Sequence, residues 1–382
     1  MHIIIAPDSY KGSVSALGVA DAIGRGILRV FPDAQVFKAP MADGGEGTVE
    51  ALVAATDGEI LHESVIGPLG EAVTAHWGVL GDGQTAVIEM ASASGLPLVP
   101  KEKRDPRITT TYGTGQLMKA ALDRGLRKMI IGIGGSATND GGSGMATALG
   151  VRFLDSAGKQ LSPGGAALAQ LAEIDLQKVD ARLKDAEVTV ACDVDNPLCG
   201  PKGASAVYGP QKGATPEMVK ELDAALKNFS EFARRATGKD MAEYPGAGAA
   251  GGLGAGLLFF TNALLRPGVE IVIEATGLNS LTQTVDLVIT GEGATDFQTA
   301  FGKAPVGVAG VAKKHGKPVV CLSGSLGPGA EDVLQHGIDA IMSVVPRPMS
   351  LEECMKNGEA LLEQAAERLA RLLRTGMKLS KN

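Results

Sequence analysis

The sequence predicts an α/β protein in which a doubly wound parallel sheet carries a second, inserted α/β domain. Short apolar runs stand at both ends of the chain, helical periodicity separates them, and the middle of the chain shows an α/β pattern of its own. A length of 382 residues also fits two domains, since one domain usually takes about 100–200 residues. Pattern and length therefore indicate the same fold class.

The two ends of the chain supply five predicted strands. Each is a continuous apolar run, as expected of a parallel strand that is buried on both faces. The runs are Ile3–Ala6, Gln35–Met41, Asp286–Thr290, Pro318–Ser323 and Ala340–Val345. The predicted helices are 17–30 with Ser13 or Ser15 as N-cap, Val306–His315, Glu331–His336 and Leu351–Arg374. This alternation favours a flavodoxin-like domain built from residues 1–61 and 286–382.

Residues 62–285 form the predicted inserted domain. Insertion is tolerated because the termini of a domain often lie close together. The strands predicted here are Lys128–Ile133 and Val188–Cys192, and the helices are Gly115–Arg124, Gly141–Leu149, Pro216–Arg235 and Leu257–Leu265. The middle of the chain thus has the pattern of a separate α/β domain.

Composition excludes several classes of function. The net charge of −7 argues against a nucleic-acid partner, since phosphate binding needs a basic surface. No run of 18 apolar residues predicts a membrane span, and the N-terminus reads as a strand rather than a signal peptide. The four cysteines are scattered without metal-ligand spacing. We expect reduced thiols, a cytoplasmic location and no membrane partner.

Polar and acidic residues follow three strands of the flavodoxin-like domain. They are Asp8, Ser9 and Lys11 after the first, Asp43, Gly44, Gly45 and Glu46 after the second, and Glu292, Asp296 and Gln298 after the third. Open parallel sheets bind ligands at the carboxyl ends of their strands. Any one of these residues can simply cap a helix, but the three groups together predict a functional cluster.

Glycine makes up 52 of the 382 residues, about twice the ordinary share of ~7%. The loop Gly132–Gly144 follows an apolar strand and opens a helix, so its backbone N–H groups are candidates for binding phosphate. A second interpretation stays open: Gly132, Gly134 and Ala137 fit G-x-G-x-x-[GA], and Asp155 follows at a spacing suited to a ribose. A third is that glycine only permits close packing of the helix and the strand.

The candidate loops contain few residue types that can act as a catalytic nucleophile or general base. No Walker A sequence is present, and none of the five histidines lies in the candidate loops. A carboxylate is therefore the predicted general base, with Asp193 and Asp195 as candidates after the strand Val188–Cys192. The segment YGPQKG adds Gln211 and Lys212.

Six motifs resemble those of the glycerate kinases of the bacterial glycerate 2-kinase type. They are APDSYKGS (6–13), ADGGEGT (42–48), GIGGSATNDGG (132–142), ACDVDNPLCG (191–200), YGPQKGA (208–214) and PGAGAAGG (245–252). The likeness covers essentially the whole chain. It implies ATP-dependent phosphorylation of D-glycerate to 2-phosphoglycerate in the cleft between two domains. Together with the acidic loops, this predicts ATP and Mg²⁺ as cofactors, and we expect a monomer or homodimer.

The resemblance and the loop positions together suggest roles for individual residues. Asp193, Lys11 and Asp8 are the predicted catalytic residues, and Glu292 and Asp296 the predicted metal ligands. The predicted nucleotide-binding residues are Gly134, Gly135, Ser136, Thr138, Asn139, Gly141 and Gly142. The predicted substrate-binding residues are Ser9, Asp43, Gly44, Gly45, Glu46, Gln211, Lys212, Gln298 and Lys303. Two other functions stay open: an NAD-dependent oxidoreductase acting on a small 2-hydroxy acid, and a non-catalytic small-molecule sensor.

One position departs from the family pattern. The resemblance implies G-E-G-R-x-D-x-Q after the third strand, whereas this chain has GEGATDFQ, with Ala294 in the place of arginine. An arginine there would be able to hold a carboxylate or phosphate through two parallel hydrogen bonds, which alanine cannot do.

Overall fold

The computed structural model describes residues 1–379. Within that range the strands are β1 (His2–Ile5), β2 (Gln35–Lys38), β3 (Glu59–Ile66), β4 (Ala72–Val79), β5 (Thr85–Glu89), β6 (Lys128–Gly132), β7 (Arg152–Leu154), β8 (Glu173–Asp175), β9 (Glu187–Ala191), β10 (Ala263–Arg266), β11 (Leu287–Thr295), β12 (Val319–Leu326) and β13 (Ala340–Ser343). The α-helices are α1 (Ala16–Leu28), α2 (Thr48–Thr56), α3 (Met90–Ser94), α4 (Tyr112–Asp123), α5 (Ser143–Ala148), α6 (Ala204–Tyr208), α7 (Pro216–Thr237), α8 (Ala249–Phe260), α9 (Gly268–Ala275), α10 (Leu278–Thr282), α11 (Ala304–Lys314), α12 (Leu351–Lys356) and α13 (Gly358–Leu379).

The chain divides into two compact units. Unit 1 comprises Met1–Asp43, Glu50–Asp57 and Val269–Asn382, and unit 2 comprises Gly44–Val49 and Gly58–Gly268. The second boundary differs from the predicted one, because α9 and α10 fall in unit 1. Their side chains explain the difference: Val269 packs beside Gly307 of α11, and Asn279 Oδ1 lies 3.0 Å from His315 Nε2.

Unit 1 contains a five-stranded sheet in the order β13-β12-β11-β1-β2, and every neighbouring pair is parallel. This is the strand order 2-1-3-4-5 of the flavodoxin-like fold, so the predicted fold class is confirmed. The order reverses between β1 and β11. Ligands bind such sheets where the strand order reverses, at the carboxyl ends of the strands.

Helices α1 and α13 cover one face of the unit 1 sheet. Ser15 caps α1 by accepting a 3.2 Å hydrogen bond from Gly18 N, which resolves the choice between the two predicted caps. Ile23 and Leu362 are completely buried in the core with Ile3 and Ile5 of β1. Apolar residues at helical spacing therefore bury one stripe of each helix against the sheet.

Two predicted helices of unit 1 have a different form. The segment predicted over Glu331–His336 is a 3₁₀ helix, Ala330–His336. The helix predicted over Leu351–Arg374 is two helices, α12 and α13. Asn357 ends α12 with non-helical backbone angles, and Gly358 packs closely against Ser13 and Val14. The apolar period runs through this break, so the pattern alone does not reveal it.

Unit 2 contains a six-stranded mixed sheet in the order β10-β9-β6-β5-β4-β3, together with the hairpin β7-β8. Strands β5, β6, β9 and β10 are parallel neighbours, whereas β3 and β4 are antiparallel. The helix predicted over Leu257–Leu265 is wrong in its second half, because Ala263–Arg266 pairs with β9 as β10. An unbroken apolar run does not distinguish a buried helix from a strand.

In the main buried core of unit 2, the residues contributed by β5, β6 and β9 lie on one face of the sheet. Trp77, the single tryptophan, is completely buried there, and the Arg124 guanidinium lies 5.7 Å from the centre of its ring. A second cluster packs Phe153, Phe229 and Phe260 around α7 and α8. Among the helices of residues 1–379, none combines the length and apolar character required to cross a bilayer.

Candidate active site

Charged side chains from separate strands of unit 1 line one cavity of about 730 Å³. Asp8 and Lys11 follow β1, Asp43 follows β2, Glu292 lies in β11, and Lys303 directly precedes α11. Parallel strands end at a common edge of the sheet, which is why residues far apart in sequence meet here. The structure therefore brings together these five residues, all of which were predicted from the sequence. The one difference is that Glu292 lies within β11 and not after it.

Asp8 is a buried acid that lines this cavity. Its Oδ1 accepts a 2.6 Å hydrogen bond from Ser9 N, and its own N–H donates to Gly291 O. Burial, and next the charge of Asp43, raise the pKa of Asp8 to about 6. A carboxylate with such a pKa is poised to gain or lose a proton near neutral pH.

Lys11 and Asp43 form an ion pair with a distance of 3.1 Å between Lys11 Nζ and Asp43 Oδ2. Burial lowers the pKa of Lys11, but the charge of Asp43 and its hydrogen bond, with Asp8 and Glu292, outweigh burial and raise the pKa above 10.5. The ammonium therefore stays charged at neutral pH. Its side chain remains largely exposed, so it can turn towards an anionic ligand.

Glu292 is held by two threonine hydroxyl groups. Its Oε1 accepts hydrogen bonds from Thr299 Oγ1 at 2.6 Å and from Thr295 Oγ1 at 3.2 Å. Burial raises the pKa of this carboxyl. The two threonine hydrogen bonds and the positive charge of Lys303 oppose this rise. Lys303 Nζ lies 4.0 Å from the other oxygen, Oε2. One oxygen is thus fixed by the protein and the other faces a cation.

Asp296 caps the 3₁₀ helix Phe297–Phe301, since its Oδ1 accepts a 2.8 Å hydrogen bond from Gln298 N. The same oxygen lies 3.9 Å from Lys303 Nζ. Lys303 therefore stands between two acids, Glu292 and Asp296. Gln298 is exposed and is not among the residues that line the cavity, so the structure separates it from the predicted substrate group.

One wall of the cavity is apolar. Its side chains come from the segment after β13, from α12 and from the start of α13: Val344, Val345, Met349, Leu351, Met355 and Leu361. Between this wall and the acids lie Ala294 of β11 and Ser325 of β12, both of them small. The cavity thus has a charged end and an apolar wall, joined by a low floor.

The glycine-rich loop of unit 2 has a different geometry from the predicted phosphate cradle. Asp140 is completely buried; its Oδ1 accepts from Gly142 N, and its Oδ2 from Gly144 N, Thr111 N and Thr111 Oγ1, over distances of 2.8–3.2 Å. Gly141 N donates to Gly251 O. The donors at the start of α5 are therefore already bonded to protein.

Most of this loop is buried. Thr138 and Asn139 have no exposed surface, and Gly141 and Gly142 are buried against α7 and α8. Only Gly134 and Gly135 are exposed. Burial of residues 138–142 does not favour a phosphate cradle there, and the close packing of Gly141 and Gly142 fits the third interpretation of the loop.

Lys212 is buried rather than solvated. Its Nζ donates 2.7 Å hydrogen bonds to Ser136 Oγ and to Thr138 O, and only 1% of the residue is exposed. Burial lowers the pKa of Lys212 to about 7, although the charge of Asp140 opposes this. In this structure Lys212 holds the loop 136–138 in place, while its neighbour Gln211 is exposed.

The predicted turn Gly44–Glu46 packs on the carboxyl ends of β6 and β9 within unit 2. A Cβ atom at Gly44, which has a φ of +85°, would overlap the side chain of Ala191. Gly45 lies against Gly134, and Glu46 is exposed. Gly44 thus serves close packing of backbone, and Glu46 is the side chain of this turn that solvent reaches.

Asp193 lies just after β9 on the exposed surface of unit 2. Its Oδ1 accepts a 2.9 Å hydrogen bond from Gly268 N. This bond holds the carboxylate at the carboxyl end of the parallel strands, beside the end of β10. A position at this edge is compatible with catalysis, but the carboxylate already serves one backbone donor.

The dinucleotide interpretation of the same loop does not fit unit 2. Asp155 follows β7, which pairs only with β8 in a small hairpin outside the six-stranded sheet. Its Oδ1 accepts 2.9 Å hydrogen bonds from Ala157 N and Lys159 N, as a turn-closing aspartate does. In a dinucleotide-binding fold, the acid that binds the ribose lies at the end of the strand adjacent to the one that precedes the glycine loop. Asp155 is not at the end of such a strand, because β7 lies outside that sheet.

Two groups of functional or structural importance escaped the sequence reasoning. Asp140 stands directly before the helix predicted over Gly141–Leu149, a position typical of a capping aspartate, and this signal was available. The apolar wall had no such signal. Leucine and methionine at helical spacing indicate core packing, and only the structure shows that Leu351 is 76% exposed beside a cavity.

Comparison with known proteins gives one consistent result. A sequence model described as the Glycerate kinase family matches residues 3–374. A protein named glycerate kinase from Bacillus subtilis (strain 168) is 55% identical over 97% of each chain, and one named glycerate 2-kinase from Escherichia coli (strain K12) is 52% identical over 99% of each chain. A solved structure of glycerate kinase 2 from Salmonella typhimurium LT2 superposes with a TM-score of 0.91, at 50% identity over 99% of each chain. The family match spans nearly the whole chain, and the chain therefore belongs to the glycerate kinase family.

Proposed function

We propose that this chain transfers the γ-phosphoryl group of ATP to the 2-hydroxyl group of D-glycerate, giving 2-phosphoglycerate and ADP. The observation that carries this proposal is the unit 1 cavity, in which acids and lysines from separate strands share one space. Membership of a kinase family supplies the reaction class. Relatives named glycerate kinase and glycerate 2-kinase support the choice of substrate and of hydroxyl group.

Lys11 and Lys303 are the proposed partners of the anionic reactants. Phosphoryl transfer requires mainly positioning and neutralisation of the charge on the transferred group. Both ammonium groups line the cavity, and each lies within 4.0 Å of an acid from which it can turn to a ligand. One lysine would neutralise the phosphoryl oxygens, and the other would hold the carboxylate of glycerate.

Asp8 is the proposed acceptor of the proton from the attacking hydroxyl group. It lines the same cavity as both lysines, and its pKa of about 6 leaves it ionised at neutral pH but basic enough to take a proton. Asp193, the candidate favoured from sequence, is exposed in unit 2 and bonded to Gly268 N. The geometry therefore supports Asp8 over Asp193.

Glu292 and Asp296 are the proposed ligands of Mg²⁺. Their chemistry fits, because Mg²⁺ prefers carboxylate oxygens and retains several waters, so two protein ligands suffice. Glu292 Oε2 takes neither of the threonine hydrogen bonds, and Lys303 Nζ already occupies the cationic position between the two acids. A bound Mg²⁺ would neutralise charge on the nucleotide phosphates. Hydrogen bonds from Thr295 and Thr299 to Oε1 orient the Glu292 carboxylate.

A coupled ADP-release assay tests the proposed function. Glycerate, lactate, tartronate and hydroxypyruvate are compared at equal concentration, and phosphorus NMR identifies the product. We expect ADP release that depends on D-glycerate, and a 2-phosphoglycerate signal. A 3-phosphoglycerate product would overturn the choice of hydroxyl group, and absence of ADP release with every acceptor would overturn the kinase proposal.

Glu292→Gln tests the metal assignment, with Glu331→Gln at an exposed site as the matched control. The variant keeps an acceptor for the threonine hydroxyl groups but loses the charge. We expect it to need a higher Mg²⁺ concentration for half-maximal rate, whereas the control keeps the wild-type value. An unchanged Mg²⁺ dependence would remove Glu292 from the metal site.

A further inference from the structure

The apolar wall of the unit 1 cavity has no use in binding glycerate. Glycerate has three carbon atoms, each bearing oxygen, so it offers no apolar face to Val345, Met349 or Met355. A cavity of about 730 Å³ is also far larger than such a ligand and lies in the range of about 300–1,000 Å³ typical of sites for larger small molecules. The occupant needs a flat apolar part and several negative charges.

We infer that the adenine ring of ATP binds against the apolar wall formed by Val344, Val345, Met349, Leu351, Met355 and Leu361, with its phosphates directed towards Lys11 and Lys303. This inference rests on the proposed function and adds to it the place and the orientation of the nucleotide. It moves the nucleotide to unit 1 from the glycine-rich loop predicted from sequence, where the N–H groups of Gly141, Gly142 and Gly144 are already bonded within the protein.

The strand order gives the nucleotide a direction. The charged end lies at β1 and β11, where the order of strands reverses, and the apolar wall lies beyond the end of β13. The wall also reaches the charged end on the side of β1, because Met355 lies against Gly12, the neighbour of Lys11. The base and the phosphates of one nucleotide would therefore occupy adjoining parts of the same cavity.

The floor between the two ends is low. Ala294 and Ser325 are register partners on β11 and β12, and Gly293 and Gly324 lie beside them along the cavity. No bulky side chain of these strands separates the acids from the apolar wall. A ribose and its phosphates would therefore pass over this floor without a steric barrier.

The wall itself is held in place by hydrogen bonds. Ser350 caps α12 by accepting from Glu353 N at 3.2 Å, and Ser13 Oγ donates a 2.6 Å hydrogen bond to Met355 O. Arg347 pairs with Glu353 at 2.7 Å. Leu351 and Met355 nevertheless remain 76% and 37% exposed, so apolar side chains are held at the edge of a cavity instead of being buried. Burial of such surface by a ligand is favourable.

Leu351→Asp is the decisive variant. Leu351 is exposed and opens α12, where an acidic side chain suits the helix dipole, so the fold is retained. We expect the KM for ATP to rise five- to twenty-fold while the KM for glycerate changes less than two-fold. Leu372→Asp is the matched control, because Leu372 is an exposed helical leucine that does not line the cavity.

Cys354 provides a second readout that needs no catalysis. It lines the cavity, whereas Cys192 lies in unit 2. Thiol labelling is followed by mass spectrometry with and without Mg²⁺ and a non-hydrolysable ATP analogue. We expect the analogue to slow labelling of Cys354 but not of Cys192, and glycerate alone to protect neither.

The outcomes separate this inference from the proposed function. If ADP release fails but the analogue protects Cys354, the adenine site stands and the glycerate reaction falls. If the wild-type protein phosphorylates glycerate, but Leu351→Asp leaves the KM for ATP unchanged and Cys354 is not protected, the adenine site is overturned and the reaction stands. A rise in the KM for glycerate alone would also overturn it.

Discussion

Burial of Asp8 carries a cost in stability that its catalytic role would explain. Its pKa rises from 3.8 to about 6 on folding, mainly through burial. The folded protein thus binds this proton more tightly than the unfolded chain, and the stability gained from the proton is present below about pH 3.8 and lost as the pH rises through about 6. At pH 8 the charged form costs up to about 3 kcal/mol.

Asp8→Asn is therefore expected to stabilise the protein at pH 8. We expect its free energy of unfolding, from urea denaturation followed by circular dichroism, to exceed that of the wild type by about 1–3 kcal/mol at pH 8. The gain should shrink at pH 5 and vanish near pH 4. The exposed Asp33→Asn is the control. A gain that is independent of pH would contradict the burial argument.

The proposed role of Asp8 also predicts how the reaction depends on pH. If Asp8 accepts the proton of the attacking hydroxyl group, kcat/KM for glycerate should fall as the pH drops through about 6, because Asp8 becomes protonated. Asp8→Asn should lower kcat by about 10²–10⁴-fold. Asp193→Asn is the comparison variant. A larger loss for Asp193→Asn than for Asp8→Asn would return the role of base to Asp193.

Ala294 offers a gain-of-function prediction. It is exposed on the same face of β11 as Glu292 and lines the cavity, so a longer side chain there would enter the site. We expect Ala294→Arg to raise kcat/KM for glycerate about ten-fold, because a guanidinium can hold a carboxylate through two parallel hydrogen bonds. Ala294→Met adds length without charge and should not raise it. An unchanged value for the arginine variant would exclude such a clamp.

At the scale of elements, α5 depends on one buried carboxylate. Asp140 accepts hydrogen bonds from the N–H groups of Thr111, Gly142 and Gly144, and burial raises its pKa despite them. Asp140→Ala would leave these buried donors without a partner, at a cost of about 3 kcal/mol. Trp77 fluorescence during urea denaturation measures this loss, because Trp77 is buried in the same unit.

A matched variant separates this effect from the loss of any aspartate. Asp155 also closes a turn of unit 2, but its two hydrogen bonds lie at a partly exposed hairpin. Asp155→Ala is expected to cost about 1 kcal/mol or less. Equal losses for the two variants would contradict the special role of Asp140 at the helix start.

Elements with a clear apolar pattern and a recognisable N-cap residue were predictable from the sequence. The apolar runs of β1 and β12 and the Ser15 cap of α1 are local features, and the structure confirms them. The break at Asn357 and the strand Ala263–Arg266 were not, because the packing of Gly358 against Ser13 and the pairing with β9 are tertiary events. An apolar period records burial but not the partner.

The candidate site shows the same division. The position of Asp8, Lys11 and Glu292 at strand ends was enough to predict that they meet, because parallel strands end at one edge. The burial of Lys212 and of the loop 138–142 was not predictable, since a lysine or a glycine next to a loop looks the same in sequence whether it is exposed or packed. The solvent exposure of such a residue is determined by tertiary packing.

At the scale of the molecule, each unit has a core of its own. In the unit 1 cluster that packs against α1 and α13, the buried residues all come from the sequence before Phe31 and after Asp286. Those of the two unit 2 clusters all lie between Val65 and Ala263. A stretch of about 200 residues is long enough for an independent hydrophobic core. Residues 58–268 therefore contain what unit 2 needs to fold, apart from the short segment Gly44–Val49.

We expect a fragment of residues 58–268 to fold without kinase activity. The fragment loses the packing of Gly44 on Ala191 and the 2.8 Å hydrogen bond from Val49 N to Glu89 Oε1, so its stability should fall by about 1–3 kcal/mol without loss of cooperativity. Trp77 is the single tryptophan and is completely buried, so its emission should match that of the intact chain and shift cooperatively in urea. The intact Trp77→Phe variant verifies the source of the signal. Emission at the position of the unfolded chain, already before urea is added, would show that unit 2 cannot hold its fold alone.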